Sequence, residues 1–134
     1  MRLRLETDFS LFLRGDDPSS DRLQNAFAAL QVPLVVGEGN SHWFPFPHAI
    51  PWTRIVAVID QAAFNRNPTG AIMKTISMFN RSSLLERRRL MLHHIPDLLF
   101  SVNNSRVGIN FVREVALRSC VPQQRNQSRV GMPM

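Results

Sequence analysis

The sequence predicts an α/β fold, with a parallel sheet of about three strands and four helices. Three short apolar segments bounded by turn residues are typical of buried parallel strands: residues 9–13, 34–36 and 56–59. Between the first two, apolar residues recur at helical spacing over residues 22–30. The resulting order of strand, helix and strand is the unit from which a doubly wound sheet is built.

A polar loop between the first strand and the first helix is the strongest functional signal. It spans residues 14–20, Arg-Gly-Asp-Asp-Pro-Ser-Ser. Asp17 is suited to cap the helix, and Pro18 to occupy its first position. Gly15 permits positive φ and lets a ligand approach the main chain. Because unpaired N–H groups at a helix start bind anions, this loop predicts a nucleotide or sugar-phosphate site.

Side chains around the loop add to this prediction. Arg14 and Arg22 can donate paired hydrogen bonds to phosphate oxygens, and Ser19 and Ser20 offer hydroxyl groups. The alternative is an ordinary helix start in which Asp17 acts only as a cap, with a contribution of about 1 kcal/mol.

A long loop, residues 37–51, follows the second strand at the end of the sheet where ligands usually bind. His42, Trp43 and Phe44 either stack on a base or sugar ring or pack beneath this loop. Their large apolar surface favours packing. Glu38 is a conceivable catalytic base.

Three further helices are predicted after the third strand. Asn67 followed by proline is typical of a helix start, and the run from Ser83 to Glu86 has the pattern of a capping box. Ser105 can cap the last helix. In that helix four apolar residues are predicted to share a face: Val107, Phe111, Val112 and Val115. Residues 121–134 lack periodicity and are predicted to be a disordered tail.

The basic charge raises nucleic acid as a rival partner. The net charge of +6 includes the run Arg87-Arg88-Arg89. On a helical wheel Arg87 and Arg89 flank the apolar stripe while Arg88 falls inside it, so the triplet forms no single outward patch. We therefore expect no nucleic-acid binding, with Arg88 snorkelling or pairing with a carboxylate.

Neither a metal nor a cofactor is suggested. Asp16 and Asp17 are adjacent rather than separated by one residue, and adjacent His93 and His94 cannot share a helical face. The single cysteine, Cys120, excludes an internal disulfide framework. Residues 1–6 are basic but too short for a signal peptide, and no apolar run approaches the length of a membrane span.

Four blocks of residues carry a family resemblance. The first is Phe9-Ser10-Leu11 with Arg14-Gly15-Asp16-Asp17-Pro18-Ser19-Ser20, Arg22-Leu23 and Ala26. The second is Val32-Pro33-Leu34-Val35-Val36. The third is Pro45-Phe46, Ile50, Trp52 and Arg54-Ile55-Val56-Ala57-Val58-Ile59, and the fourth is Ser105-Arg106-Val107 with Asn110-Phe111. In this order the blocks resemble the exostosin family of glycosyltransferases.

The resemblance implies a place in a larger enzyme of the GT-B type, in which two Rossmann-like halves hold a nucleotide-sugar donor between them. Residues 1–120 resemble most of the C-terminal, donor-binding half. In that half the polar loop and the following helix hold the nucleotide and diphosphate, and an acidic residue one turn later meets the ribose. Asn25 stands at that position here and brings no charge. Leu30-Gln31 replaces the family's Gly-Cys pair.

The expected function is therefore that of a fragment of an exostosin-like glycosyltransferase. The intact enzyme would bind a nucleotide-sugar donor and transfer its sugar to a polysaccharide or a glycoprotein glycan. The alternative is a non-catalytic remnant of the fold with weak or no nucleotide binding. The resemblance also implies the Golgi membrane or lumen, reached through an anchor absent from this chain, and the chain alone is expected to be inactive.

Overall fold

The computed structural model describes residues 7–13, 21–37 and 44–120, and within them it confirms the predicted α/β class. The strands are β1 (Phe9–Phe12), β2 (Val32–Val36) and β3 (Ala57–Ile59). The helices are α1 (Asp21–Ala28), α2 (Trp52–Ile55), α3 (Gln61–Arg66), α4 (Pro68–Ser77), α5 (Arg81–Leu98) and α6 (Val107–Ser119). Two of these, α2 and α3, were not predicted.

The three strands form a parallel sheet in the order β1-β2-β3. In this register Leu11 lies opposite Leu34, and Val36 lies opposite Ile59. Because parallel strands end on the same side of a sheet, Phe12, Val36 and Ile59 mark one boundary, which we call the carboxyl edge.

The sheet separates two hydrophobic cores, as expected for strands buried on both faces. Val35 faces one core, and its neighbours Leu34 and Val36 face the other. The α1/α5 core contains Leu23, Phe27, Ile50, Trp52, Ile55, Val56, Met91 and Leu98. The α4 core contains Leu34, Val36, Ala57, Ile59 and Ala71.

The turn from α1 to β2 is tight although it has no glycine. The Gln31 amide donates to the Ala26 carbonyl at 2.9 Å, and the Leu30 amide donates to the Phe27 carbonyl at 3.1 Å. These two bonds define a Schellman motif. Leu30 therefore occupies the left-handed position, with φ of 52°.

The capping prediction is confirmed for α4 and corrected for α5. The Asn67 side chain accepts a hydrogen bond from the Gly70 amide at 3.0 Å, immediately before Pro68 begins α4. In α5 the N-cap is Asn80, whose side chain accepts from the Ser83 amide at 2.8 Å. Ser83 is thus the third helical residue of the capping box and not its first residue. The predicted start was wrong because Asn80 is itself an efficient cap.

Of the four apolar residues predicted to share a face of α6, only Val107 is buried. Val107 and Asn110 are the buried residues of this helix. By contrast, Phe111, Val112 and Val115 are 62%, 61% and 49% exposed. The N-cap is Arg106, without a side-chain cap, although the Ser105 hydroxyl accepts a 3.4 Å hydrogen bond from the Val107 amide.

Candidate functional site

The predicted phosphate site belongs to the β1-to-α1 junction at the carboxyl edge. β1 ends at Phe12 and α1 begins at Asp21, which confirms the strand and the helix on either side of the predicted loop. The loop itself lies outside the described residues: Arg14, Gly15, Asp16, Asp17, Pro18, Ser19 and Ser20. The roles assigned to these seven residues stay predictions.

Two predicted donor-binding residues, Arg22 and Asn25, are the second and fifth residues of α1. They are three positions apart and are therefore neighbours on the helix surface. Both are exposed, and neither side chain has a hydrogen bond or ion pair with another described residue. Both polar groups are thus free of contacts with the described residues, Arg22 next to the start of α1 and Asn25 near its middle.

The neighbouring strands add polar groups to the carboxyl edge that the sequence analysis did not single out. Gly37 directly follows β2, and its amide donates to the Ile59 carbonyl at 3.0 Å. Its φ of +136° lies in a region that L side chains rarely adopt. Asp60 follows β3 and caps α3 by accepting from the Ala63 amide at 2.8 Å. The sequence does contain a signal for these two positions, because a glycine directly follows one apolar segment and an aspartate directly follows the other.

In the described part of the long loop, residues 44–51, the aromatic side chain of Phe44 packs inward. Phe44 stacks on Trp52, with ring centroids 4.8 Å apart and an interplanar angle of 19°. Trp52 is buried and donates from Nε1 to the Pro45 carbonyl at 2.8 Å. Packing, the favoured interpretation, is thus confirmed for Phe44. The remaining candidates from this loop lie outside the described residues: Glu38, His42 and Trp43.

An apolar groove of about 120 Å³ opens beside the start of α1. It is lined by Leu23, Gln24, Pro45, Phe46, Leu98, Phe100 and Val107. Helices α1 and α5 run in opposite directions, because Arg88 contacts the turn after α1 whereas Leu98 lines the groove with Leu23. The groove therefore lies near the N-terminal end of α1, and its side chains suit a small apolar or planar group.

A buried carboxylate connects α5 to α6. Asp97 accepts two hydrogen bonds from Arg106, at 2.7 and 2.8 Å, and a third from Asn110 at 3.0 Å. The His94 ring lies 2.8 Å from its other side. The Arg106 hydrogen bonds, together with those of Asn110 and His94, outweigh burial and hold the pKa of Asp97 well below its usual range. The carboxylate is thus fully engaged and serves as a structural connection.

Sequence reasoning missed Asp97, although Arg106 and Asn110 belong to the fourth block of the resemblance. Arg106 is nine residues and Asn110 thirteen residues further along the chain than Asp97. The sequence gives no local signal for a contact across such a turn. The structure thus gives two residues of this block a role in packing.

The side chain of Arg87 is bound to neighbouring groups of the protein, so it does not form part of an outward basic patch. It donates to the Val56 carbonyl at 2.7 Å, and its guanidinium lies 4.9 Å from the centroid of the Phe79 ring. Burial lowers the pKa of Arg87, although the nearby Glu86 acts in the opposite direction.

Arg88 is engaged as well. It donates to the Leu30 carbonyl at 3.0 Å and forms an ion pair with Asp8. The prediction that Arg88 pairs with a carboxylate is confirmed. Of the triplet, only Arg89 is exposed without an interaction to a described residue.

Across residues 7–13, 21–37 and 44–120, no group of three or more His, Cys, Asp and Glu side chains could hold a metal ion. The His93 and His94 rings meet edge to face, with centroids 4.8 Å apart, and His94 is directed to Asp97. None of the helices in this part of the chain has both the length and the apolar character needed to cross a membrane.

Comparison of the chain with models of protein families, with curated protein sequences and with solved structures finds no match. A functional assignment therefore depends on the residues and geometry described above.

Proposed function

We propose that this chain binds a nucleotide-sugar donor at the carboxyl edge of its sheet, as the donor-binding half of an exostosin-like glycosyltransferase. The observation that carries the proposal is the arrangement of β1 and α1. A strand of a parallel sheet ends at Phe12, and a helix packed on that sheet begins at Asp21. In open α/β sheets ligands bind outside the carboxyl ends of the strands, with phosphates at a helix N-terminus.

The side chains near this junction suit such a ligand. Arg22 presents an exposed guanidinium, which binds phosphate oxygens through paired hydrogen bonds. Asn25, one turn further along α1, can exchange hydrogen bonds with ribose hydroxyls through its amide. Gly37 places main chain without a side chain at the end of the neighbouring strand. These groups support diphosphate and ribose recognition in one place.

In glycosyl transfer, the chain's own contribution would be to hold the donor and stabilise the departing diphosphate. Arg14, Arg22 and the first amides of α1 are the groups for that task. The non-catalytic alternative keeps the same fold and differs in donor affinity. A binding measurement therefore separates the two.

The test is a titration of the full chain with uridine diphosphate, followed by amide NMR. We expect saturable shifts at the start of α1 and near Gly37. Arg22→Ala should weaken binding about tenfold, since a charge-assisted hydrogen bond contributes roughly 1.5–3 kcal/mol. The control is Arg81→Ala, because Arg81 is also exposed but begins α5, at the opposite end of that helix from the groove.

Two outcomes would count against the proposal. The absence of saturable shifts would favour the non-catalytic remnant. Equal weakening by Arg22→Ala and Arg81→Ala would show that the nucleotide responds to overall positive charge instead of a site.

A further inference from the structure

The outer surface of α6 is apolar, and no other described residue covers it. Ile109, Phe111, Val112 and Val115 are between 49% and 62% exposed. At 3.6 residues per turn these four side chains span an arc of about 160°. The helix has 13 residues and is therefore about 20 Å long. An exposed apolar surface of this kind usually marks an interaction site.

The opposite face of α6 is firmly attached to the protein. Val107 is buried, and buried Asn110 donates to the Asp97 carboxylate at 3.0 Å. Further along the helix, Glu114 lies 2.7 Å from the His48 ring. The apolar arc is thus held outward by contacts on the other side of the helix.

The charged residues at the borders of the apolar arc indicate the kind of surface that it would bind. On the helical wheel Arg118 and Arg113 fall at its two borders, both exposed. The one acidic residue of α6, Glu114, has a side chain only 16% exposed and accepts a hydrogen bond from Arg118 at 2.8 Å. The outer face therefore presents bulky apolar groups between two cations and no exposed carboxylate. Long cationic side chains at such borders can extend to anionic head groups.

We propose that α6 is an interfacial helix that binds the surface of an anionic lipid bilayer. Its apolar arc would enter the boundary between head groups and acyl chains while Arg113 and Arg118 contact lipid phosphates and carboxylates. The chain's net charge of +6 gives long-range attraction to the same surface. That charge opposes the approach of a second copy, whose α6 would bring the same two cations to the contact. The inference is independent of nucleotide binding.

The test is cosedimentation of the full chain with vesicles of phosphatidylcholine, with or without about one third phosphatidylserine. We expect binding to the anionic vesicles that is at least about tenfold stronger than to the neutral ones. The double variant Phe111→Ser with Val112→Ser should lose about tenfold or more of this binding. Arg113→Gln should lose several-fold, and higher salt should weaken binding further.

The controls change equally exposed residues elsewhere on the surface. Leu92→Ser removes a side chain that is 58% exposed on α5, and Arg66→Gln removes an exposed cation on α3. Neither control should change vesicle binding by more than about twofold. Circular dichroism confirms that every variant is folded.

Three results would overturn the proposal. Equal loss with Arg66→Gln and with Arg113→Gln would mean adsorption through overall charge. A dimer that the double variant dissociates, without vesicle binding, would assign the face to a second copy. Capture of an acidic amphipathic peptide without vesicle binding would assign it to a protein partner.

Discussion

Leu30 shows how a single residue can depart from the preferred chemistry of its position. The Schellman motif places it at φ of 52°, a conformation that glycine adopts without penalty and that costs other residues about 1 kcal/mol or more. The side chain compensates by packing partly against the α1/α5 core, and the main-chain carbonyl of Leu30 accepts a hydrogen bond from Arg88. Leucine at this position thus combines favourable side-chain packing with an unfavourable backbone conformation.

This strain predicts a reversed order of stability for two substitutions. Leu30→Gly and Leu30→Ala both remove the packed side chain, but only glycine also relieves the backbone. We expect the glycine variant to be more stable than the alanine variant by about 1 kcal/mol in urea unfolding. At Gln24, inside α1 and exposed, the same two substitutions should favour alanine by a similar amount. Greater stability of Leu30→Ala than of Leu30→Gly would contradict the assignment.

Candidate residues differed in how well the sequence alone could identify them. Arg88 was predicted either to snorkel or to pair with a carboxylate because it falls inside an apolar stripe, and it pairs with Asp8. Asp97 could not be found in this way, because its partners are brought to it only by the turn between two helices. Phe44 was predicted to pack inward because a ring is mainly apolar surface, and Trp52 supplies that packing.

At the scale of elements, the sequence predicted the ends of the β-strands and of α1 to within one or two residues. This was possible because each apolar run is short and ends at turn residues. The start of α5 was harder to predict. Asn80 and Ser83 are both good caps, and the structure uses them together in one box. The sequence pattern grouped the apolar residues of α6 on one face but did not show which face is buried, because burial there follows Asn110 and its hydrogen bond to Asp97.

The connection between α5 and α6 predicts a specific dependence of stability on pH. The pKa of Asp97 is lowered in the folded state, so its contribution is complete above its unfolded pKa, about 4, and is lost as pH falls further. Asp97→Asn should reduce the free energy of unfolding by about 2 kcal/mol at pH 7, because charge-assisted hydrogen bonds are lost.

The measurement is urea unfolding of both proteins at pH 7 and pH 3. The wild-type protein should lose more stability between these values than the variant does, since the variant has no carboxylate to protonate at position 97. Parallel losses in the two proteins would show that Asp97 has no part in the acid response. Circular dichroism at pH 7 establishes that both proteins start folded.

At the scale of the whole molecule, the described sheet has two outer strands, β1 and β3. No other strand among the described residues covers either one. Leu11 and Val58 on these strands are 38% and 41% exposed. Uncovered outer strands with apolar side chains are sites where chains associate.

We therefore predict that the chain on its own associates or is partly molten. Sedimentation velocity should show species larger than a monomer, and thermal unfolding should be broad. Val58→Lys should reduce association, since a lysine on an outer strand opposes pairing with another chain. Leu92→Lys, at an exposed position on α5, is the control for added charge. A sharp cooperative transition of a monomer would refute this prediction.

The contact of Arg88 with Asp8 has a consequence for synthesis of the chain. These residues are 80 positions apart in the sequence. During translation, Asp8 can form this ion pair only after the first half of α5, which contains Arg88, has left the ribosome. The side chain of Asp8, beside the first strand of the sheet, is thus fixed in place by a helix that is made much later.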